Sequence, residues 1–194
     1  LHSAVGRRQT IMSAPIVYRS TDASAPTLTG QVGSLVAVLA AILVNGYGSK
    51  AAAGWTEPFT GTGGGVFKMA GGNGFYLTVN DNGPGAGTFK EARIWGNETC
   101  ASYSATGAGG TGLFPTAAQQ ANGLFVRKSS ALSAAVIAWT CIADDRTIYF
   151  FAQPDTAGTY IGFMFGDFYS LLTGDGYRTM IVAKTVENDA TAGN

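Results

Sequence analysis

The sequence predicts a mainly β, α+β fold: an antiparallel sheet or sandwich with one N-terminal helix packed on it. Three observations predict it. Short runs rich in β-branched and aromatic residues recur along the chain, bounded by turn residues. One stretch alone, residues 31–45 (QVGSLVAVLAAILVN), repeats its apolar residues at three- and four-residue spacing. The chain has 28 glycines, and many cluster at 61–65, 71–74, 83–87 and 107–112, between apolar runs, where they mark loops.

Residues 15–20 (PIVYRS) read as a short strand, with Ile16 and Tyr18 on one face and Val17 and Arg19 on the other. A polar connector with Pro26 follows. In the helix, Leu35, Val38, Leu39, Ile42 and Leu43 form one face. Ala37, Ala40 and Ala41 form a small-residue flank, and Asn45-Gly46 is a fitting stop. The run is far short of the ~20 apolar residues that cross a bilayer, so the helix belongs on the sheet. Residues 47–58 read as a loop that carries Trp55 into the core.

Strands are expected at 66–70, 75–80 and 88–95, with a hairpin turn at Asn80-Asp81-Asn82-Gly83. The last of these alternates Phe89, Glu91 and Arg93 against Lys90, Ala92 and Ile94, as in an edge or half-exposed strand. Residues 107–122 form a long polar excursion, of the kind that carries function or drapes over a neighbour. A short strand at 124–128 returns the chain to the sheet.

The chain is organised around 135–180. Runs 136–143 (VIAWTCIA), 147–153 (TIYFFAQ) and 159–166 (TYIGFMFG) are separated by Asp144-Asp145-Arg146 and by a Pro-Asp-Thr-Ala-Gly turn at 154–158. That is an antiparallel meander. The later runs are apolar on both faces, so the sheet is expected to be covered on both sides. A last strand is expected at 177–185. The domain division is a leader at 1–11 ahead of Met12, a single β-rich domain at 12–185, and a flexible tail at 186–194.

Hydrophobic residues make up 46% of the 194 positions and charged residues 12%, about half the usual charged share. So little charge is expected to go with a surface covered by other protein. Twelve basic residues balance twelve acidic ones, which disfavours a nucleic-acid partner. Cys100 and Cys141 are expected to be reduced and buried.

The residues supply no reaction. The one histidine, His2, lies in the leader, which removes Ser-His-Asp and Cys-His catalysis and the common His-based metal sites. Neither 61–65 nor Gly48-Ser49-Lys50 has the spacing of a phosphate loop. Asp144, Asp145, Asp167 and Asp175 have turn and surface roles as the bland reading, against a glycosidase pair as the sharp one. No catalytic, cofactor-binding or metal residue is assigned, and no cofactor is expected. Tyr18, Tyr47, Trp55, Tyr76, Trp95 and Tyr103 could stack on sugars, but core or subunit-interface roles are the default.

Several stretches carry a resemblance. They are VYRSTDASAPTLTG at 17–30, GSLVAVLAAILVNGYGSKAAAGWT at 33–56, NGFYLTVND at 73–81, WTCIADDRTIYFFAQ at 139–153 and FGDFYSLLTGDGYRT at 165–179. The chain resembles a widespread family of small virion structural proteins of tailed bacteriophages. The resemblance implies a non-enzymatic particle component, assembled in the host cytoplasm and resident in the virion. Its expected partners are other virion proteins, major capsid or tail proteins, and further copies of itself, with no nucleic acid and no membrane. The reading favoured is a multi-copy capsid decoration or cement protein. A tail or baseplate component, or a carbohydrate-binding adsorption module, stands as the alternative.

Overall fold

The computed structural model describes residues 13–82, 90–129, 131–154 and 160–184. The expected leader and tail lie outside them, as does most of the expected turn at 154–158. The elements run β1 (Ile16–Arg19), α1 (Ser34–Ala40), β2 (Thr56–Gly61), β3 (Gly64–Lys68), β4 (Tyr76–Asn80), β5 (Lys90–Asn97), β6 (Thr99–Cys100) and β7 (Gly110–Thr111). They continue through β8 (Leu124–Ser129), β9 (Ala138–Ala143), β10 (Thr147–Gln153), β11 (Ile161–Asp167) and β12 (Thr179–Lys184). The chain is mainly β with one short helix.

Two five-stranded antiparallel sheets make the body. The first has the order β1-β9-β10-β11-β12 and the second β2-β3-β4-β5-β8, while β6 and β7 form a separate ribbon. The expected meander is the β9–β12 part of the first sheet, with β1 added beside β9. The β12 edge of the first sheet approaches β8 and β5 of the second. The resulting sandwich encloses one core.

Alternation sorts the first sheet's residues. Tyr18, Cys141, Phe150, Phe163 and Ala183 lie opposite one another across the five strands and face the core. Phe150 stacks near Phe163 at 5.5 Å and near Trp139 at 6.2 Å between ring centroids. The Cys141 thiol is free, and burial pushes its pKa up, so it stays a protonated apolar filler. Cys100 is also free but only half-buried, which corrects the expectation of burial.

The helix is shorter than expected. It starts at Ser34, and Ala41–Asn45 continues it as a π-helical turn, stopped at Gly46 with φ 73°. Leu35, Val38, Leu39, Ile42 and Leu43 are all buried in the shared core, as their spacing required. The helix end passes beside β2 of the second sheet, and its apolar face joins both sheets in one core. Trp55 is the expected core anchor. It is 2% exposed, donates from Nε1 to the Asp144 carbonyl at 2.6 Å, and sits 6.0 Å from the Phe165 ring.

No side chain of its own N-terminal turn caps this helix. Asp81, at the end of β4, does so from across the fold. Its Oδ2 accepts the Leu35 N–H at 2.8 Å, and its Oδ1 lies 2.5 Å from Lys128 Nζ on β8. Lys128 Nζ also donates to the Gln31 carbonyl at 2.6 Å. Both side chains are almost fully buried. Desolvation outweighs the attraction of Lys128 and raises the Asp81 carboxyl to about 6, while the same burial lowers the Lys128 ammonium. Asp81 is therefore a buried anchor and not merely a turn residue.

Two further expectations are corrected. Strand 88–95 was expected at an edge or half exposed. Its described part is β5, paired on both sides by β4 and β8, with Ala92 and Ile94 in the core. Glu91, on its other face, pairs with Arg127 at 3.6 Å, so its charge does not require an edge. The first sheet was expected to be covered on both faces. Its outer face is open among the described residues, because the chain spends its one helix and its long excursion elsewhere.

Replacing Asp81 with Ala leaves both the Leu35 N–H and Lys128 without their carboxylate acceptor. Chemical denaturation at neutral pH should show a loss of about 3–5 kcal/mol, and Asp81→Ala with Lys128→Met should recover part of it. The pH dependence has a defined sign. The folded-state value of Asp81, about 6, lies above its ordinary 3.8, so the folded chain holds this proton more tightly. The resulting stabilisation is present below the ordinary value and is lost as pH rises through about 6. Denaturation midpoints taken from about pH 7 down to about pH 4 should show the wild type gaining stability relative to Asp81→Asn.

Candidate functional site

Residues 98–123, between β5 and β8, decide the shape of the second sheet's outer side. On that face Trp95, Asn97 and Thr78 would meet solvent. The excursion covers them instead. Asn97 Nδ2 donates to the Gly107 carbonyl at 2.9 Å, its Oδ1 accepts from Thr78 Oγ1 at 3.0 Å, and Asn80 Nδ2 donates to the Ala105 carbonyl at 2.9 Å. The Trp95 indole is pinched between two glycine backbones. A Cβ on Gly107 would lie 2.6 Å from its Cγ, and one on Gly123 would lie 2.3 Å from its Cε2. Both glycines have positive φ, 76° and 72°, where a side chain is strained in any case.

Phe114, further along the excursion, enters the end of the sandwich. Its backbone exchanges hydrogen bonds with Gly96 at 2.7 and 2.8 Å, and its ring lies on that glycine. The same ring stacks on Phe165 of the first sheet at 6.1 Å and 12° and tilts against Phe75 at 6.2 Å. Outside this plug lies an open cleft of about 760 Å³. Phe75, Phe114 and Phe125 line it with Met180 and Ile181 of β12. Glu98 and the carboxamides of Gln119 and Gln120 supply its polar side, and Tyr177 its rim.

Tyr177 is 98% exposed, yet its position is fixed. The loop between β11 and β12 is closed at its base by the Phe168 N–H to the Arg178 carbonyl at 2.9 Å. Asp167 holds the same base: it accepts from Asn73 N at 2.8 Å, Arg178 Nε at 2.9 Å and Thr179 Oγ1 at 2.5 Å. Nearer the tip, Asp175 accepts from Ser170 Oγ at 2.6 Å and from the Tyr177 N–H at 2.9 Å, and these bonds lower its pKa. Tyr169, Leu171 and Leu172 project from the loop, Leu171 at 87% exposure.

The open face of the first sheet is the second feature. Val17, Ile142, Tyr149, Met164 and Val182 are cross-strand partners in sequence β1-β9-β10-β11-β12 and form one apolar row across it. Phe151, Tyr160 and Met180 extend the row to either side, all exposed. Tyr149, Phe151, Tyr160, Met164 and Val182 border a depression of about 330 Å³.

The structure does not gather the sequence's candidate residues into a catalytic group. Asp144 closes the β9–β10 turn by accepting from the Arg146 and Thr147 N–H groups, both at 2.8 Å. Asp145 pairs with Arg146 at 3.7 Å, and Asp167 and Asp175 serve the loop described above. Among the described residues no group of three or more His, Cys, Asp or Glu side chains could hold a metal ion. Nor is any helix among them long and apolar enough to cross a membrane. The aromatic residues singled out for stacking are mostly structural. Tyr18, Trp55 and Trp95 are buried, Tyr18 with its hydroxyl pushed up to about 12 by that burial. Tyr103 lies over Gly61 and Gly64. The most exposed aromatics are Tyr169 and Tyr177, neither of them singled out for stacking from the sequence, and Tyr177 precedes β12 although the last strand was expected to begin with it. The signal was present in residues 168–177, where five of ten residues are Phe, Tyr or Leu without strand alternation.

No family model, curated protein or solved structure matches the chain.

The glycine pinch on Trp95 makes a graded prediction. Gly174 has φ 73° with open space around it, so Gly174→Ala should cost only the left-handed backbone, about 1–2 kcal/mol. Gly107→Ala should cost that plus about 1–3 kcal/mol for crowding the indole. Paired thermal melts of the two variants measure the difference.

Proposed function

We propose that this protein is a non-enzymatic structural component of a tailed-bacteriophage particle, present in many copies, with capsid decoration or cementing as its role. The observation that carries this reading is the apolar row Val17–Ile142–Tyr149–Met164–Val182 on an outward sheet face, where Ile142, Tyr149 and Val182 are exposed, Val17 is half-buried and Met164 lies sunk between its neighbours. Large contiguous apolar patches are rare on monomers and mark interaction surfaces. A rigid, twisted sheet face is suited to repeated seating on a lattice, because each copy presents the same row in the same geometry. The small charged share supports the same reading, since the charges that normally keep soluble surfaces apart are few. The sequence stretches quoted above support residence in the virion, with assembly in the host cytoplasm. Major capsid protein is the partner this reading favours, with further copies of the chain as neighbours.

Immunogold labelling of purified particles tests the position. Label distributed over the head is expected; label confined to the tail would replace decoration with a tail or baseplate role. The row itself is tested by Tyr149→Lys with Val182→Lys. Both residues are exposed, so the melting temperature should hold while binding to particles lacking the protein is lost. Retained binding would remove this face from the interface.

A further inference from the structure

We infer that the cleft between the 98–123 excursion and β12 is a binding site for an uncharged saccharide, with Tyr177 as its stacking platform. The inference is argued from residues other than the apolar row of the assembly reading, although Met180 borders both surfaces.

The starting point is Tyr177. A fully exposed aromatic ring on a loose loop needs no explanation, but this one is held. Its own N–H is bonded to Asp175, and the next residue, Arg178, is bonded to buried Asp167. Ordering the backbone around an exposed ring removes most of the ordering that binding would otherwise require. Aromatic platforms with a polar handle suit ligands that have one apolar face and a wet edge. A pyranose is such a ligand: its C–H face stacks on a ring while its hydroxyls point sideways.

The lining defines the rest of the ligand. Phe75 and Phe114 give the floor flat apolar surface, and Phe114 is immobilised between Gly96 and Phe165. Gln119 also lines the cleft. Its Oε1 accepts from Thr116, from N at 2.9 Å and from Oγ1 at 3.2 Å, which leaves Nε2 as the donor of this amide. Glu98 supplies an acceptor whose carboxylate makes no ion pair among the described residues. One donor amide and one acceptor carboxylate beside aromatic surface suit vicinal hydroxyls. The lining contains no Lys, Arg or His, and Glu98 is its one charged side chain. Sialylated, uronic or phosphorylated ligands would meet an unscreened carboxylate and no counter-charge. A peptide added as a strand along β12, the edge strand of its sheet, is the competing ligand, and the test carries peptides for that reason.

The test uses the whole chain on an array of neutral hexose and N-acetylhexosamine oligosaccharides with acidic glycans and proline-rich peptides alongside, followed by calorimetric titration of the strongest neutral glycan. Neutral glycans should bind and acidic ones should not. Tyr177→Ala should weaken the titrated interaction about tenfold, the order expected for losing one stacking ring, with an unchanged melting temperature. Tyr169→Ala, also exposed but outside the cleft lining, should leave it intact. Glu98→Gln keeps an acceptor and removes the charge, and should admit acidic glycans. The inference is overturned if no neutral glycan binds, if acidic glycans or peptides bind in preference, or if Tyr177→Ala retains full affinity.

Discussion

The Asp81–Lys128 pair is the interaction on which the arrangement of layers depends. It joins β4, β8 and the start of the helix at a single buried point. Its members do different jobs. Asp81 supplies the acceptor that the first turn lacks, where Gly33 stands at the cap position with no side chain to offer. Lys128 compensates that charge and takes up the Gln31 carbonyl in the connector. A buried pair of this kind is weak evidence for net stability, because desolvation consumes much of the attraction. What it supplies is position. An apolar helix face fits a core in several registers, whereas a carboxylate that must reach one N–H and one ammonium fits in one.

Much of the first sheet was legible because each of its runs carries its own boundary. Asp144-Asp145-Arg146 separates β9 from β10, and the alternation of Ile148, Phe150 and Ala152 with Tyr149 and Phe151 fixes two faces. Sequence does not say which face is covered when both are apolar, and the expectation of two covers failed there. Strand β2 was hidden by Pro58, which argues against a paired strand. The register shifts between Thr56 and Phe59, and this irregularity accommodates the proline near the edge of the sheet. Asp81 was legible as a turn residue and illegible as a cap, since its partner Leu35 is distant in sequence. The cleft was out of reach for the same reason: Glu98, Phe114 and Tyr177 come from separate connections, brought together only by the closing of the sandwich. The excursion at 107–122, expected to carry function or to drape over a neighbour, lies over the chain's own second sheet.

The two sheets thus solve opposite problems with similar strands. The second hides its outer aromatic residue beneath the chain's own backbone, and polar side chains such as Asn80 and Asn97 tie that cover down. The first presents β-branched and aromatic residues outward without such a cover among the described residues. The difference is not one of strand composition. It follows from where the long connection falls, between β5 and β8 in one sheet, while β9 and β10 are joined by a tight turn that leaves nothing to fold back.

Attachment of the excursion through Trp95 and Phe114 has an evolutionary corollary. The contacts that hold it are backbone-to-ring and ring-to-ring, concentrated at Gly107, Gly123 and Gly96. Gln119 stands between these fixed points and bonds within its own turn, to Thr116. Drift at such positions can therefore retune the wall of the cleft while the sandwich beneath it stays constant, so that relatives sharing this architecture can diverge in what they recognise without first becoming less stable.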